Sequence, residues 1–237
     1  MLKLGINIDH VATLRQARRG NYPQPLEAAL ICQKSGANSI VAHLREDRRH
    51  IQEADLLLLK KKLKVNLNME MSLAAGIVDF ALKLKPFQVT LVPEKRVELT
   101  TEGGLDVLVN FRKVKSALTR FQKRGIQASL FIDPRINQIK AAIAAGARVI
   151  ELHTGCYADA KSEYNRGKAF CQIKQAVLFA RKNNLIVNAG HGLDYMNVRR
   201  IAKIPGINEL NIGYSVICRA LFVGLSSAVR QMKGLIK

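Results

Sequence analysis

A chain of 237 residues, 48% of them hydrophobic, is long enough to bury well over half of its extended-state surface around one core, so no disulfide or metal staple is required. Its four cysteines, Cys32, Cys156, Cys171 and Cys218, lie far apart and form no CxxC or Cys/His spacing, which excludes the usual zinc and dithiol motifs and reads as free thiols in a reducing compartment. The formal net charge of +20 raises anionic partners, but apart from Lys60-Lys61-Lys62-Leu63-Lys64 the basic residues are scattered and tryptophan is absent, so solvated helix faces explain it better than a nucleic-acid surface.

From Met1 the chain enters a strand-like run with no basic stretch, apolar stretch and cleavage site in succession, and its longest apolar runs are too short to cross a bilayer. The expectation is a cytoplasmic protein without a membrane partner.

In chain order, the short β-branched or apolar runs are Leu4–Asp9, Ser39–Leu44, Val65–Glu70, Gln88–Pro93, Gln127–Ile132, Val149–Thr154, Ile186–His191 and Glu209–Tyr214. Helix-period stretches separate them. Pro25–Ser35 is closed by Gly36 and Asn137–Ala145 by Gly146, each glycine suiting a left-handed cap. Strict alternation implies parallel strands with right-handed crossovers, and eight such units close most simply into a TIM (β/α)8 barrel, one domain over residues 1–237. The crossovers Glu94–Gly125 and Gly155–Leu185 exceed one helix plus short loops, so extra helices are expected there.

Side chains alternate across a strand, so polar residues two apart share a face. Asn7 with Asp9, His43 with Arg45, Asn66 with Asn68 and Glu70, Glu151 with His153, and Glu209 with Asn211 form such sets. A barrel interior is normally filled by bulky branched residues, so polar positions near strand ends point to an active site.

All five histidines fall at or just past predicted strand ends: His10, His43, His50, His153 and His191. Glu70 ends a strand whose other face is apolar, which raises its pKa towards that of a useful general base, and Glu151 has the same geometry. Structural ion pairs remain the alternative for both. Asp9 is suited to orienting a histidine or an arginine.

Glycines in Asn188-Ala189-Gly190-His191-Gly192 and Asn211-Ile212-Gly213-Tyr214-Ser215 end strands seven and eight, where barrels often hold phosphate on backbone N–H groups. The arginine-rich stretches 15–20 and 45–50 read as mobile loops able to hold a second phosphate, and Thr100-Thr101-Glu102-Gly103-Gly104 as a lid turn. No strand interior carries a Schiff-base lysine, and arginines interleave the His/carboxylate set, which disfavours a metal.

The segments Asn7-Ile8-Asp9-His10-Val11-Ala12-Thr13-Leu14-Arg15, His43 to Ile51 and Leu91-Val92-Pro93-Glu94-Lys95-Arg96 resemble the pyridoxine 5′-phosphate synthase family. Thr100–Asp106, Ser129–Asp133, Glu151–Lys161 and Val187–Leu193 resemble it too, so the likeness spans essentially the whole chain. The resemblance implies a ring closure that needs no cofactor and no metal, joining two small phosphorylated substrates, 3-amino-2-oxopropyl phosphate and 1-deoxy-D-xylulose 5-phosphate, and releasing inorganic phosphate and water. It also implies a homo-octamer. By the same resemblance Asn7, Arg18, Gly192, Gly213 and Tyr214 hold the amino-ketone phosphate, while Asp9, His10, Arg45, His50 and Thr100 hold the pentulose phosphate. His43 and Glu70 match proton acceptors, His191 the proton donor, and Glu151 a residue stabilising developing charge. Tyr214 departs from the histidine expected after Asn-Ile-Gly. Two other readings stay open on the residues alone: a phosphosugar isomerase or epimerase on the same barrel, and a basic nucleic-acid-binding protein.

Overall fold

A computed structural model describes residues 1–94 and 103–237. Among the described residues, eight parallel strands close into a barrel: β1 (Lys3–Asn7), β2 (Ser39–Leu44), β3 (Asn66–Met71), β4 (Gln88–Leu91), β5 (Gln127–Ile132), β6 (Val149–His153), β7 (Ile186–Gly190) and β8 (Ile207–Ile212), with β8 pairing back onto β1. The expected TIM-barrel architecture is therefore present, and each predicted strand lies within two residues of its observed ends.

The helices are α1 (Asp9–Ala17), α2 (Pro25–Lys34), α3 (Glu53–Lys62), α4 (Ala75–Leu84), α5 (Phe111–Lys123), α6 (Ile136–Ala144), α7 (Gly155–Ala158), α8 (Glu163–Lys182), α9 (Val198–Ala202), α10 (Tyr214–Val223) and α11 (Leu225–Leu235). Gly36 (φ 102°) and Gly146 (φ 93°) follow α2 and α6 in the left-handed conformation expected of them. None of these helices is long and apolar enough to cross a membrane.

The added helices are only partly where the long crossovers suggested. The 155–185 crossover does hold a second helix, α7, ahead of α8. The described part of the 94–125 crossover holds a turn at 107–110 and α5 alone. The further additions are α1, before α2, and α11, after α10.

Helix α1 corrects the reading of residues 15–20 as a mobile phosphate-binding loop. Arg15 lies inside α1, buried, and forms a bidentate ion pair with Asp55 of α3 at 2.7 Å, with a further bond to the His50 carbonyl. The helix starts there because the Asn7 side chain accepts from the Asp9 N–H at 2.9 Å, closing a turn directly off β1.

Inside the barrel the polar sets divide between its two ends. At the N-terminal end Glu209 accepts from Ser39 Oγ at 3.0 Å, and burial raises its pKa. Asn66 is exposed at the start of β3. Neither is at the C-terminal mouth. Gly5 is required between them, because a Cβ there would lie 2.1 Å from Asn211 Oδ1 and 2.7 Å from Ser39 Oγ. Above this layer Thr90 donates to Asn68 at 2.9 Å, and the next layer opens into a cavity.

Candidate active site

The cavity at the C-terminal ends of the strands measures about 1380 Å³. Its polar walls fall into two groups facing each other, with glycine turns and a helix end beside them.

One wall is built on His43. Strand β2 delivers the imidazole, and its backbone N–H donates to Asp9 Oδ1 at 2.8 Å. Asp9 is buried at the start of α1 and also accepts from Asn7 Nδ2 at 2.9 Å. The same amide reaches Glu70 Oε2 at 3.4 Å, and Glu70 lies 3.9 Å from His43 Nδ1. Burial, then the charges of Asp9 and Glu151, push Glu70 well above the ordinary carboxylate range.

The other ring nitrogen, Nε2, faces Glu94 Oε1 at 3.0 Å. Glu94 Oε2 accepts the Glu46 N–H at 2.9 Å. Burial alone would raise Glu94, but the bonds from His43 and the Glu46 N–H, with the charge of Arg45, outweigh it and leave its pKa lowered.

The opposite wall comes from β5, β6 and β7. Glu151 accepts from Asn211 Nδ2 at 2.6 Å, yet its burial, with Glu209 below, pushes it up to about 7. His153, 4% exposed, has Nδ1 3.4 Å from Asp133 Oδ1, which also accepts the Gly104 N–H at 2.9 Å. The His153 and His191 rings lie 4.9 Å apart. His191 takes φ 81° and Gly192 φ 74°, so the chain turns sharply off β7 and swings the imidazole to the cavity. Thr154 Oγ1 holds that turn by donating to the carbonyls of Gly190 (2.8 Å) and His191 (2.6 Å).

Close packing sets the glycines of this mouth. A Cβ at 190 would stand 2.7 Å from Glu151 Oε1, and one at 213 would stand 2.8 Å from Asn7 Cβ. Gly213 precedes α10, so the first N–H groups of that helix, at Tyr214 and Ser215, have no intrahelical acceptor. Ser215 Oγ donates to the Leu193 carbonyl at 2.8 Å, tying this helix end to the β7 turn. Together these features form a site suited to an anion.

The family model for "Pyridoxal phosphate biosynthesis protein PdxJ" matches residues 4–237. The chain belongs to the PdxJ family. Proteins named pyridoxine 5′-phosphate synthase from Coxiella burnetii (strain Dugway 5J108-111) and Legionella pneumophila (strain Corby) are 54% and 52% identical to it over 236 residues. These alignments cover 100% of this chain and 98% and 95% of the respective relatives. Among solved structures, phosphoribosylanthranilate isomerase from Thermotoga maritima shares the fold at a TM-score of 0.61 with 16% identity, covering 100% of this chain and 98% of that one. KGPDC from Streptococcus mutans does so at 0.64 with 13% identity, covering 100% and 97%. At such identities the likeness concerns the barrel alone.

In this PdxJ-family chain most sequence-predicted site residues converge. Asn7, His10, His43, Arg45, Glu70, Glu151, His191, Gly192, Gly213 and Tyr214 all line the cavity. Asp9 stands behind them as the acceptor that orients Asn7 and His43. His50 is set back, its ring 6.0 Å from that of His43, and its Nδ1 accepts the Ile51 N–H at 2.9 Å. Arg18 is exposed where α1 ends and does not reach the cavity within this chain. Thr100 lies outside the described residues. Tyr214 presents its ring 5.2 Å from His10, and a hydrogen bond with Cys218 raises its phenol.

Glu94 and Asp133 were missed. Each carries the signal used for Glu70, a carboxylate just past an apolar strand: Glu94 follows Val92-Pro93 after β4, and Asp133 follows β5 directly. Asp9, His43 and Glu70 offer ligand atoms within 4.8 Å of one another, a possible cation set. The Asn7 amide already donates to both carboxylates there, and Glu70 favours its proton, so the set suits proton transfer better than metal ligation.

Proposed function

We propose that the chain is a single-domain pyridoxine 5′-phosphate synthase that joins 3-amino-2-oxopropyl phosphate to 1-deoxy-D-xylulose 5-phosphate, releasing phosphate and water. The observation carrying this reading is the pairing of His43 and Glu70 on one wall with His191 and Glu151 on the other, beside a helix end suited to an anion. Amine addition to a ketone, dehydration, phosphate loss and ring closure are successive proton transfers, which need several acids and bases in one pocket.

In this reading His43 and Glu70 accept protons, His191 donates one to a departing oxygen, and Glu151 stabilises charge developing between the walls. Asn7, Arg18, Gly192, Gly213 and Tyr214 hold the amino-ketone phosphate. The open N–H groups of α10 support that assignment; the exposed position of Arg18 leaves it to act from outside the cavity described within one chain. Asp9, His10, Arg45, His50 and Thr100 hold the pentulose phosphate. The guanidinium of Arg45, 3.7 Å from Asp47, is only loosely engaged and suited to a phosphate partner. The reading includes a cytoplasmic homo-octamer with no membrane or specific nucleic-acid partner.

The test is incubation of the chain with both substrates. Inorganic phosphate and pyridoxine 5′-phosphate are expected in equal amounts, and phosphate release without the pyridine product would overturn the assignment.

A further inference from the structure

We infer that Glu94 is a positioning residue for His43: its carboxylate fixes the imidazole's orientation and tautomer, so that Nδ1 is the nitrogen presented to Glu70 and the cavity. The inference rests on His43 acting as a proton acceptor, as proposed above, and it extends that reading to a residue outside the predicted set.

The geometry leaves Glu94 little freedom. Its side chain is 6% exposed, and its two oxygens have separate tasks, one accepting from His43 Nε2 at 3.0 Å and the other from the Glu46 N–H at 2.9 Å. The backbone leading to it is pinned as well, since the Val92 N–H donates to the Met71 carbonyl at 2.9 Å. An ionised carboxylate only accepts, so the neutral imidazole must carry its hydrogen on Nε2 and its lone pair on Nδ1. That lone pair points to the side where Glu70 stands at 3.9 Å.

The titratable groups around the ring are Asp9 from α1 and Glu70 from β3, with ligand atoms within 4.8 Å of it, His50 from the segment after β2, and Glu94 after β4; the charge of Arg45, from that same segment, acts on Glu94 and His50. When Nδ1 takes a proton from substrate, the ring becomes an imidazolium whose positive charge lies against the Glu94 anion. Glu94 keeps its own ionisation throughout, and the proton leaves by Nδ1 again. This is the arrangement in which a buried carboxylate orients a histidine that serves as base.

Glu94→Gln tests it with almost no change of volume. The amide has one acceptor oxygen where the carboxylate has two. If that oxygen takes the Glu46 N–H, the NH2 group faces Nε2 and imposes the opposite tautomer. We expect kcat to fall by at least about 100-fold, of the kind seen when a histidine-orienting carboxylate becomes an amide, with KM for both substrates within about twofold. With the anion gone, the acid limb of the kcat profile should move to lower pH by at least half a unit. Glu94→Asp keeps the charge and should recover part of the rate with the limb at its original pH. A lower rate with an unmoved limb in Glu94→Gln would assign Glu94 a structural role only, and an unchanged rate would remove it altogether.

A measurement on the unaltered protein decides the matter independently of turnover. In ¹⁵N-histidine-labelled protein at about pH 9, where imidazoles are neutral, the resonances lost in His43→Gln should show a protonated Nε2 and an unprotonated Nδ1. The reverse pattern would refute the inference even if the chain makes pyridoxine 5′-phosphate.

Discussion

Replacing Glu151 by glutamine should stabilise the fold above neutral pH while damaging the reaction. Glu151 is 2% exposed, and its pKa is raised from 4.5 to about 7, chiefly by burial. The folded state therefore holds this proton more tightly than the unfolded chain does. Stability from that preference is fully present below pH 4.5, is lost as pH rises from 4.5 towards 7, and changes no further beyond. A difference of about 2.5 pH units corresponds to roughly 3 kcal/mol. Glutamine is neutral at every pH and keeps an oxygen for Asn211 Nδ2, which now donates at 2.6 Å. The gain of Glu151→Gln over the parent should be below about 1 kcal/mol at pH 5 and reach about 3 kcal/mol at pH 8. For a chain of this size that is roughly 6 to 12 °C in melting temperature. Thermal unfolding at pH 5 and pH 8, followed by circular dichroism, reads the difference directly. Equal shifts at the two pH values, or a less stable variant at pH 8, would refute the assignment of a buried, proton-retaining Glu151.

Glu70→Gln should fold normally by circular dichroism and lose measurable pyridoxine 5′-phosphate formation; activity near that of the parent would remove Glu70 from the mechanism. Gly155→Ala places a Cβ 2.6 Å from His153 Nε2 and 3.3 Å from His191 Cδ2, so both rings must shift. The few tenths of an ångström that His191 must yield, with the larger shift of His153 beside it, should lower kcat measurably in steady-state assays, and an unchanged kcat would show that the turn absorbs the methyl. Arg15→Ala leaves Asp55 buried without its bidentate partner and should cost about 3 to 5 kcal/mol in urea unfolding. A chelator should leave the rate unchanged, because the Asn7 amide already ties Asp9 to Glu70; inhibition reversed by a divalent cation would make these residues metal ligands.

The barrel was legible because its strands announce themselves locally. Runs such as Ser39–Leu44 and Gln127–Ile132 are short, apolar and bounded by polar residues, and a strand's period is set within a few residues. Helix α1 was not, because its buried side consists of Asp9, Val11, Ala12 and Arg15. Two of those four are charged, so the apolar stripe that marks a helix is broken, and the acid needed to neutralise Arg15 lies in α3. The site residues at strand ends were visible one at a time, as polar groups where a barrel should be apolar. Their pairings were not. His43 meets Glu94 across 51 residues, and His153 meets Asp133 only because β5 and β6 are neighbours in the closed sheet. No local spacing encodes either contact.

Glu94, Glu151 and Glu70 share one chemical group and one cavity region, yet their ionisation diverges with the donors each receives. Glu94 accepts two bonds at 3.0 Å or less and stays below the ordinary carboxylate range. Glu151 accepts one and rises to about 7. Glu70, with only a 3.4 Å contact from Asn7 and the charge of Asp9 beside it, rises well above the ordinary value. The wall built on His43 therefore carries a firmly held anion on one side of the imidazole and, on the other, a carboxyl whose pKa is pushed up towards that of a useful general base. A ring held between those two can take a proton at Nδ1 and return it without the carboxylates exchanging roles, because reversing them would require Glu94 to give up two donors that the backbone of Glu46 and the ring itself hold in place.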